Sequence, residues 1–292
     1  SLQSLFAIAE RIHVPMRCLC EKKLYLVGFA LLIKRTVLNE VGVLDERFSP
    51  GNFEDNDYGL RVLKAGYQNV LCRNSFIIHF GNKSFEKSEA DYMKLFWKNK
   101  EKLEEKWGFP VGYYMHPRQV LAEQIVEPEE RRLRILDVGC GCGAFMAYIQ
   151  GRYPNASVCG IELREEAAEF AARMGEVICG DVERLAFSWP EEFFDYMVFG
   201  DVLEHLHDPG TVLRRLRKYL KQGGRIIVSM PNVKHYSVML PLLCKDEFTY
   251  QEEGILDKTH VKLYTGTEIR RLLVDSGFYV ERMEGITRGE NA

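Results

Sequence analysis

The sequence predicts an α/β protein whose second half is a doubly wound parallel sheet. Three observations carry that prediction. From Leu133 onward, short apolar runs alternate with helical stretches, the pattern of strands and crossover helices. A glycine-rich loop, Gly139-Cys140-Gly141-Cys142-Gly143, stands between the first such run and the first such helix. Acids follow the ends of the apolar runs, and the carboxyl ends of the strands form the ligand edge of such a sheet.

The elements follow in chain order. Leu24 to Ile33 is a run of uncharged, mostly apolar residues and reads as a buried strand or short helix. It is far short of the roughly 20 residues that a membrane span needs. Tyr58 to Ala65 reads as a helix, with Glu54, Asp55 and Asp57 at its start, where acids favourably meet the helix dipole. In residues 87–106, Tyr92, Leu95, Phe96, Trp97 and Leu103 recur at three- and four-residue spacing among lysines and glutamates, which predicts an amphipathic helix. Gly108 and Pro110 end it. Residues 109–131 carry Pro110, Gly112, Pro117 and Pro128 and read as a linker or helical connector, with a domain boundary near residue 128. Beyond it, strands are expected at 134–138, 157–162, 176–179, 194–199, 224–230 and 279–283, and helices at 144–153, 164–173, 211–220 and 267–275.

Composition bounds the function. The 292 residues suggest about two domains at roughly 150 residues each. With 46% hydrophobic and 28% charged residues, the chain is neither disordered nor fibrous. A net charge of -3 offers no basic excess, so nucleic acid is not an expected partner. Eight cysteines include no Cys-x-x-Cys, and Cys18-Leu19-Cys20 and Cys140-Gly141-Cys142 are too closely spaced for ordinary zinc pairs. Free thiols in a reducing cytoplasm are expected. No secretory leader is expected, since Glu10 and Arg11 interrupt the first apolar stretch. The first residue is Ser1, so the chain is read as an excerpt of a longer polypeptide.

The glycine loop points to a nucleotide-like ligand, because glycine lets the backbone turn sharply and lets a ligand approach without a Cβ clash. The spacing is Gly-x-Gly-x-Gly, not the Gly-x-Gly-x-x-Gly of dinucleotide sites. Asp137, two residues before the first glycine, suits a cationic ligand better than a pyrophosphate. Glu162 at the end of the next strand suits ribose hydroxyls, and Asp181 after the third suits an adenine amine. Singly, each acid also reads as a solvated strand-end carboxylate.

Taken in order, LDVGCGCG, GIEL, CGDVE, FDYMVFGDVLEHLHDP and LKQGGRIIVSMPN resemble the class I S-adenosylmethionine (SAM) dependent methyltransferases over about residues 130–286. The resemblance implies a Rossmann-like sheet and SAM as cofactor. It implies that Asp137, Gly139, Cys140, Gly141 and Gly143 meet the methionine part and backbone. Glu162 with Leu163 would meet the ribose, Asp181 with Val182 the adenine, and Phe199 and Asp201 would line the pocket. This family normally ends in two strands after its last helix, and only the one near 279–285 is visible.

The stretch Asp201-Val-Leu-Glu204-His205-Leu-His207-Asp208-Pro209 is rich in titratable groups just after the fourth strand. An oxygen acceptor must lose its proton, and histidine suits that near neutral pH. His205 is the expected base, oriented by Glu204 or Asp201. The stretch also resembles a subset of the family in which Asp201, Glu204 and His205 would hold a divalent ion, Mg or Mn. The structural alternative is a helix start capped by Asp201 or Asp208, with His205 packed against the pocket. Residues 231–265 read as a long loop over the substrate, similar to the PNV...LDxTHLRFF pattern of methyltransferases found beside sugar transferases. Tyr236, Asp257, His260 and Lys262 are its candidate acceptor contacts, or else the pins of a lid.

Residues 20–108, with Asp-Glu-Arg-Phe, Glu54-Asp55 and His79 before Lys83-Ser84-Phe85, resemble the C-terminal part of inverting family 2 glycosyltransferases of the GT-A fold. That resemblance makes Asp55 the base for an acceptor hydroxyl and gives His79 a role at the metal of a nucleotide-sugar. The nucleotide-binding half and its Asp-x-Asp motif lie outside the chain, so a nucleotide-sugar is a partner only if that half is supplied. The expected organisation is 1–115 glycosyltransferase fragment, 116–130 linker and 131–292 methyltransferase. The expected function is methylation of a sugar hydroxyl or glycan in bacterial cell-surface polysaccharide biosynthesis, by a bifunctional polypeptide in the cytoplasm or at the inner membrane face with a glycan-assembly complex. The rivals are an NAD-dependent oxidoreductase or epimerase, which calls for Gly-x-Gly-x-x-Gly and Tyr-x-x-x-Lys, and an inactive scaffold. Neither motif of the first rival is present.

Overall fold

A computed structural model describes residues 2–12, 20–79 and 89–285. The chain forms two compact units, residues 1–181 and 182–292. The first unit therefore holds both the stretch that resembles a glycosyltransferase and the glycine loop.

The first unit contains α1 (Leu2–Ile12), β1 (Cys20–Lys23), α2 (Arg35–Val41), α3 (Glu54–Lys64), β2 (Asn69–Cys72), α4 (Glu89–Trp107), α5 (Val111–Tyr114), α6 (Gln119–Ala122), β3 (Arg134–Val138), α7 (Ala144–Arg152), β4 (Ser157–Glu162), α8 (Glu165–Ala171) and β5 (Glu176–Cys179). The second contains β6 (Phe194–Gly200), α9 (Pro209–Arg217), β7 (Leu220–Ser229), α10 (Tyr236–Lys245) and α11 (Gly266–Asp275). In the first unit β4 pairs in parallel with both β3 and β5, and in the second β6 pairs in parallel with β7. β1 and β2 pair antiparallel, with Cys20 opposite Cys72. Among the described residues no helix is long and apolar enough to cross a membrane. Among the described residues no cysteine forms a disulfide.

Burial explains the strands. Every residue of β6 is buried, as expected of a strand covered on both faces. The last four residues of β3 and the last five of β4 are buried too. Helix starts follow local chemistry. Asp208 caps α9, accepting from Thr211 N at 3.0 Å, with Pro209 at the first helical position, where its missing N–H costs nothing. Thr265 caps α11.

Four expectations are corrected. Leu24 to Ile33 is neither strand nor helix. Only Leu24 is buried, while Val27, Phe29 and Leu32 are exposed. Its turn is held by the Asp55 carboxylate accepting from Gly28 N at 2.9 Å, so its backbone partner is a side chain rather than a ladder. Residues 279–283 are not a strand, and Tyr279 and Met283 are exposed. Arg225 of β7 donates to Glu281 of that segment at 3.2 Å, a contact between side chains. The chain expected as helix up to residue 220 leaves α9 at Arg217, and β7 starts at Leu220, before Gly223 turns at φ +73 and the register shifts. The loop over 231–265 contains a helix, α10, which Pro241 in its interior disguised. The expectations for Cys18 and for Lys83-Ser84-Phe85 lie outside the described residues.

Candidate functional site

In the first unit the end of β3 and the start of α7 present the glycine loop. Gly139, Gly141 and Gly143 all have positive φ (73°, 54° and 84°), the region where only glycine is at ease. Two close approaches demand glycine as well. A Cβ on Gly141 would lie 2.7 Å from the Tyr114 carbonyl oxygen, and one on Gly143 would lie 2.8 Å from Ala171 Cα. The loop is tied to β4, as Gly139 N and Cys140 N both donate to Ile161 O.

Glu162, 5% exposed, closes the loop. Its Oε2 accepts from Gly141 N at 2.8 Å and its Oε1 from Arg164 N at 2.9 Å. Asp137 is buried at the end of β3, and that burial pushes its carboxyl up to about 8, against the pull of the Arg118 charge. A carboxyl held above its ordinary range by burial is set to ionise when a cation arrives beside it. Cys140 and Cys142 are buried, with thiols raised well above the usual range by burial. Leu163 is 68% exposed, and Asp181 is half-buried after β5.

Two further residues of this region escaped the sequence reading. Tyr114 lies over the loop, its carbonyl accepting from Cys142 N at 2.9 Å. Burial, then the Glu162 charge, raises its phenol. Arg118 acts on Asp137 from a left-handed position, φ 44. Both come from the connector of residues 109–131, and no linear signal marks them.

In the second unit Phe199 is fully buried near the end of β6, and Val182 is buried as well. Asp201 has a φ of 54, accepts from Ser229 Oγ at 2.7 Å and does not stack on a helical face with His205. The members brought together are Glu204, His205 and His260, each offering a ligand atom within 4.8 Å of the others. Glu204 is fully buried, and its carbonyl accepts from Val261 N and Lys262 N. The imidazole rings of His205 and His260 meet edge-on with centroids 4.8 Å apart.

Hydrogen bonds fix the tautomers of both rings. His260 Nδ1 faces Ile255 O at 3.0 Å, and His205 Nδ1 faces Thr259 O at 3.2 Å and Thr259 Oγ1 at 3.1 Å. A carbonyl oxygen only accepts, so in its neutral form each ring carries its proton on Nδ1 and keeps a lone pair on Nε2. Asp257, 6% exposed, accepts from Thr259 N and Oγ1 and so fixes the residue that orients His205. Burial, with the His260 charge beside it, holds the His205 imidazole below its ordinary value. Of the expected acceptor contacts, Asp257 and His260 join this cluster. Lys262 Nζ instead donates to His207 O, and Tyr236 is exposed with its ring tilted against that of His235. The cap role falls to Asp208, not Asp201.

The Asp55 region is assembled by a strained turn. Asn52 and Phe53 both sit at φ 72 before α3, a conformation uncommon outside glycine. They aim Asp55 at Gly28 N, and the next residue, Phe29, stacks on His79 with centroids 4.8 Å apart.

Residues 112–282 match a protein-family model described as a methyltransferase domain. The chain belongs to that family. It carries a class I SAM-dependent methyltransferase domain. Among curated relatives it is 31% identical over 164 residues to a ubiquinone biosynthesis O-methyltransferase of Neisseria meningitidis, covering 53% of this chain and 67% of that one. It is 30% identical over 139 residues to a trans-aconitate 2-methyltransferase of Deinococcus radiodurans, covering 45% and 51%. It spans about half to two thirds of the length of the curated relatives it matches. A solved SAM-dependent methyltransferase from Aquifex aeolicus is 18% identical, with a TM-score of 0.43 over 67% of this chain and 92% of that one.

Proposed function

We propose that this methyltransferase moves a methyl group from SAM to an oxygen acceptor, with a sugar hydroxyl of a glycan as the acceptor class. The observation that carries the reading is the cradle of Gly139, Gly141 and Gly143 closed by Glu162, beside a buried Asp137. In the first unit Asp137 meets the cationic methionine end, Glu162 with Leu163 the ribose hydroxyls and Asp181 the adenine amine, with Cys140 in the loop between them. When bound, SAM supplies an electrophilic sulfonium methyl. Transfer of that methyl to the acceptor oxygen would leave S-adenosylhomocysteine as the second product. The acceptor proton goes to His205 Nε2, whose lone pair the Thr259 and Asp257 bonds secure. The O-methyltransferase relative supports an oxygen acceptor.

A second reading of the same cluster is favoured by its donor set. Two Nε2 lone pairs and a buried carboxylate fit a transition-metal dication better than Mg, which prefers oxygen ligands. The outer Nδ1 bonds to backbone carbonyls are the usual support of ligating histidines. Glu204, His205 and His260 would hold such an ion, which would lower the acceptor's pKa.

Residues 20–108 are read as a glycosyltransferase remnant in which Asp55 marks the old acceptor side and His79 the metal of the nucleotide-sugar. Fusion would raise the local concentration of a nascent glycan at the methyltransferase. The test is transfer of labelled methyl from SAM to a panel of monosaccharides and lipid-linked glycans. Parent protein should label a glycan, and His205→Asn should lose labelling while still binding S-adenosylhomocysteine. Equal labelling by both proteins would remove His205 from the chemistry, and dialysis against Mn with Glu204→Gln separates the ion reading from the base reading.

A further inference from the structure

The residue that ties the Glu162 carboxylate to the chain above the glycine loop is Arg164, and the cofactor roles assigned so far do not use its side chain. Its backbone N donates to Glu162 Oε1 at 2.9 Å. Its guanidinium reaches the other way, donating to Gly108 O at 2.7 Å and lying over the Tyr114 ring, 5.9 Å from the centroid. Gly108 and Tyr114 bracket a short strap that crosses the glycine loop. The strap is held at three points: Gly108 O by Arg164, Val111 N by Glu104 Oε1 at 3.0 Å, and Tyr114 O by Cys142 N at 2.9 Å. At its near end Trp107 and Phe109 meet Phe170 of α8 edge-on, at 5.4 and 6.2 Å. The strap fits so closely that Gly141 has no room for a Cβ beneath it.

We propose that Arg164 is a positioning residue for the cofactor: it latches the Gly108–Tyr114 strap over the glycine loop and holds the strap in register with Glu162. The inference rests on the cofactor reading given above. It makes the end of α4, and with it the stretch that resembles a glycosyltransferase, part of the cofactor site's construction. A shift of that stretch reaches the ribose carboxylate through one side chain. Arginine suits the position because its planar fork donates to a carbonyl while its face covers an aromatic ring, and lysine does only the first.

The test measures S-adenosylhomocysteine affinity by calorimetry for the full chain, Arg164→Ala and Arg164→Lys, each beside its unliganded thermal midpoint. Trypsin supplies the second readout, since Lys106 and Arg118 flank the strap with no other lysine or arginine between them. Ligand should protect both bonds in the parent. Arg164→Ala should bind about tenfold more weakly, the size of one charge-assisted hydrogen bond, with its midpoint little changed and protection at Lys106 lost. Arg164→Lys should recover most of the affinity and the protection. Parent-like affinity and protection in Arg164→Ala overturns the proposal. So does a loss in both variants matched by an equal loss of unliganded stability, which marks a merely structural residue. Should Arg164→Ala fail to fold, Arg164→Lys decides alone: an affinity loss of tenfold or more with an unchanged midpoint also refutes the latch, since the ammonium still reaches Gly108 O. Failure of the parent itself to bind refutes the cofactor reading, a separate outcome.

Discussion

Replacing Asp137 with asparagine should make the ligand-free protein more stable, and increasingly so as pH rises. The Asp137 carboxyl is 5% exposed, and burial raises it from an ordinary 3.8 to about 8. The sign follows from linkage. The raised folded value means the native state keeps a proton that the unfolded chain releases, so stability is full below about pH 4 and is lost as pH rises towards 8. Each unit between the unfolded value and the working pH costs about 1.4 kcal/mol, so the penalty is about 1.5 kcal/mol at pH 5 and about 4 kcal/mol at pH 7. Asparagine has the same shape and no proton to keep. Urea unfolding of ligand-free parent and Asp137→Asn at pH 5, 7 and 8.5 should therefore show a gap that widens by about 3 kcal/mol between the first two and flattens near the third. The same variant should bind S-adenosylhomocysteine more weakly, because the anion facing the ligand's ammonium is gone. A gap that stays constant with pH would refute the reasoning, since a buried neutral carboxyl is its only source.

Other perturbations separate local roles. Gly141→Ala forces a Cβ against Tyr114 O at a φ of 54°, so it should cost about 1–3 kcal/mol in thermal or urea unfolding; no loss would refute the close approach. Glu162→Gln leaves one of two buried N–H donors facing an amide nitrogen, so stability should fall by about 1–3 kcal/mol and calorimetry should show at least tenfold weaker binding. Asp208→Ala removes the cap of α9 and should lower the thermal midpoint with S-adenosylhomocysteine affinity unchanged; an affinity loss would move Asp208 into the site.

The second half was legible because its strands are short apolar runs that end in glycine or acid. β3, β4 and β5 fall on the expected residues, and β6 runs one residue further. Apolarity alone misled at Leu24 to Ile33. A strand needs a ladder partner as well as apolar side chains, and Gly28 N found the Asp55 carboxylate instead. α10 stayed hidden because an interior proline, Pro241, breaks the helical pattern on paper. The site was legible in part for the same reason. Asp137 and Glu162 stand at strand ends, where the sheet itself places them. Tyr114 and Arg118 reach the loop from some twenty residues upstream, which only the fold can arrange. His205 and His260 were each named for different roles, and it is the Thr259 and Ile255 carbonyls that turn both Nε2 atoms into lone-pair donors.

The central claim is that the glycine loop and Glu162 hold SAM. Calorimetric titration of the full chain with S-adenosylhomocysteine, with NAD as control, tests it most directly. Micromolar binding of S-adenosylhomocysteine, none of NAD, and weaker binding in Asp137→Ala and Glu162→Ala are expected. A folded parent that binds neither ligand, or that prefers NAD, would contradict it.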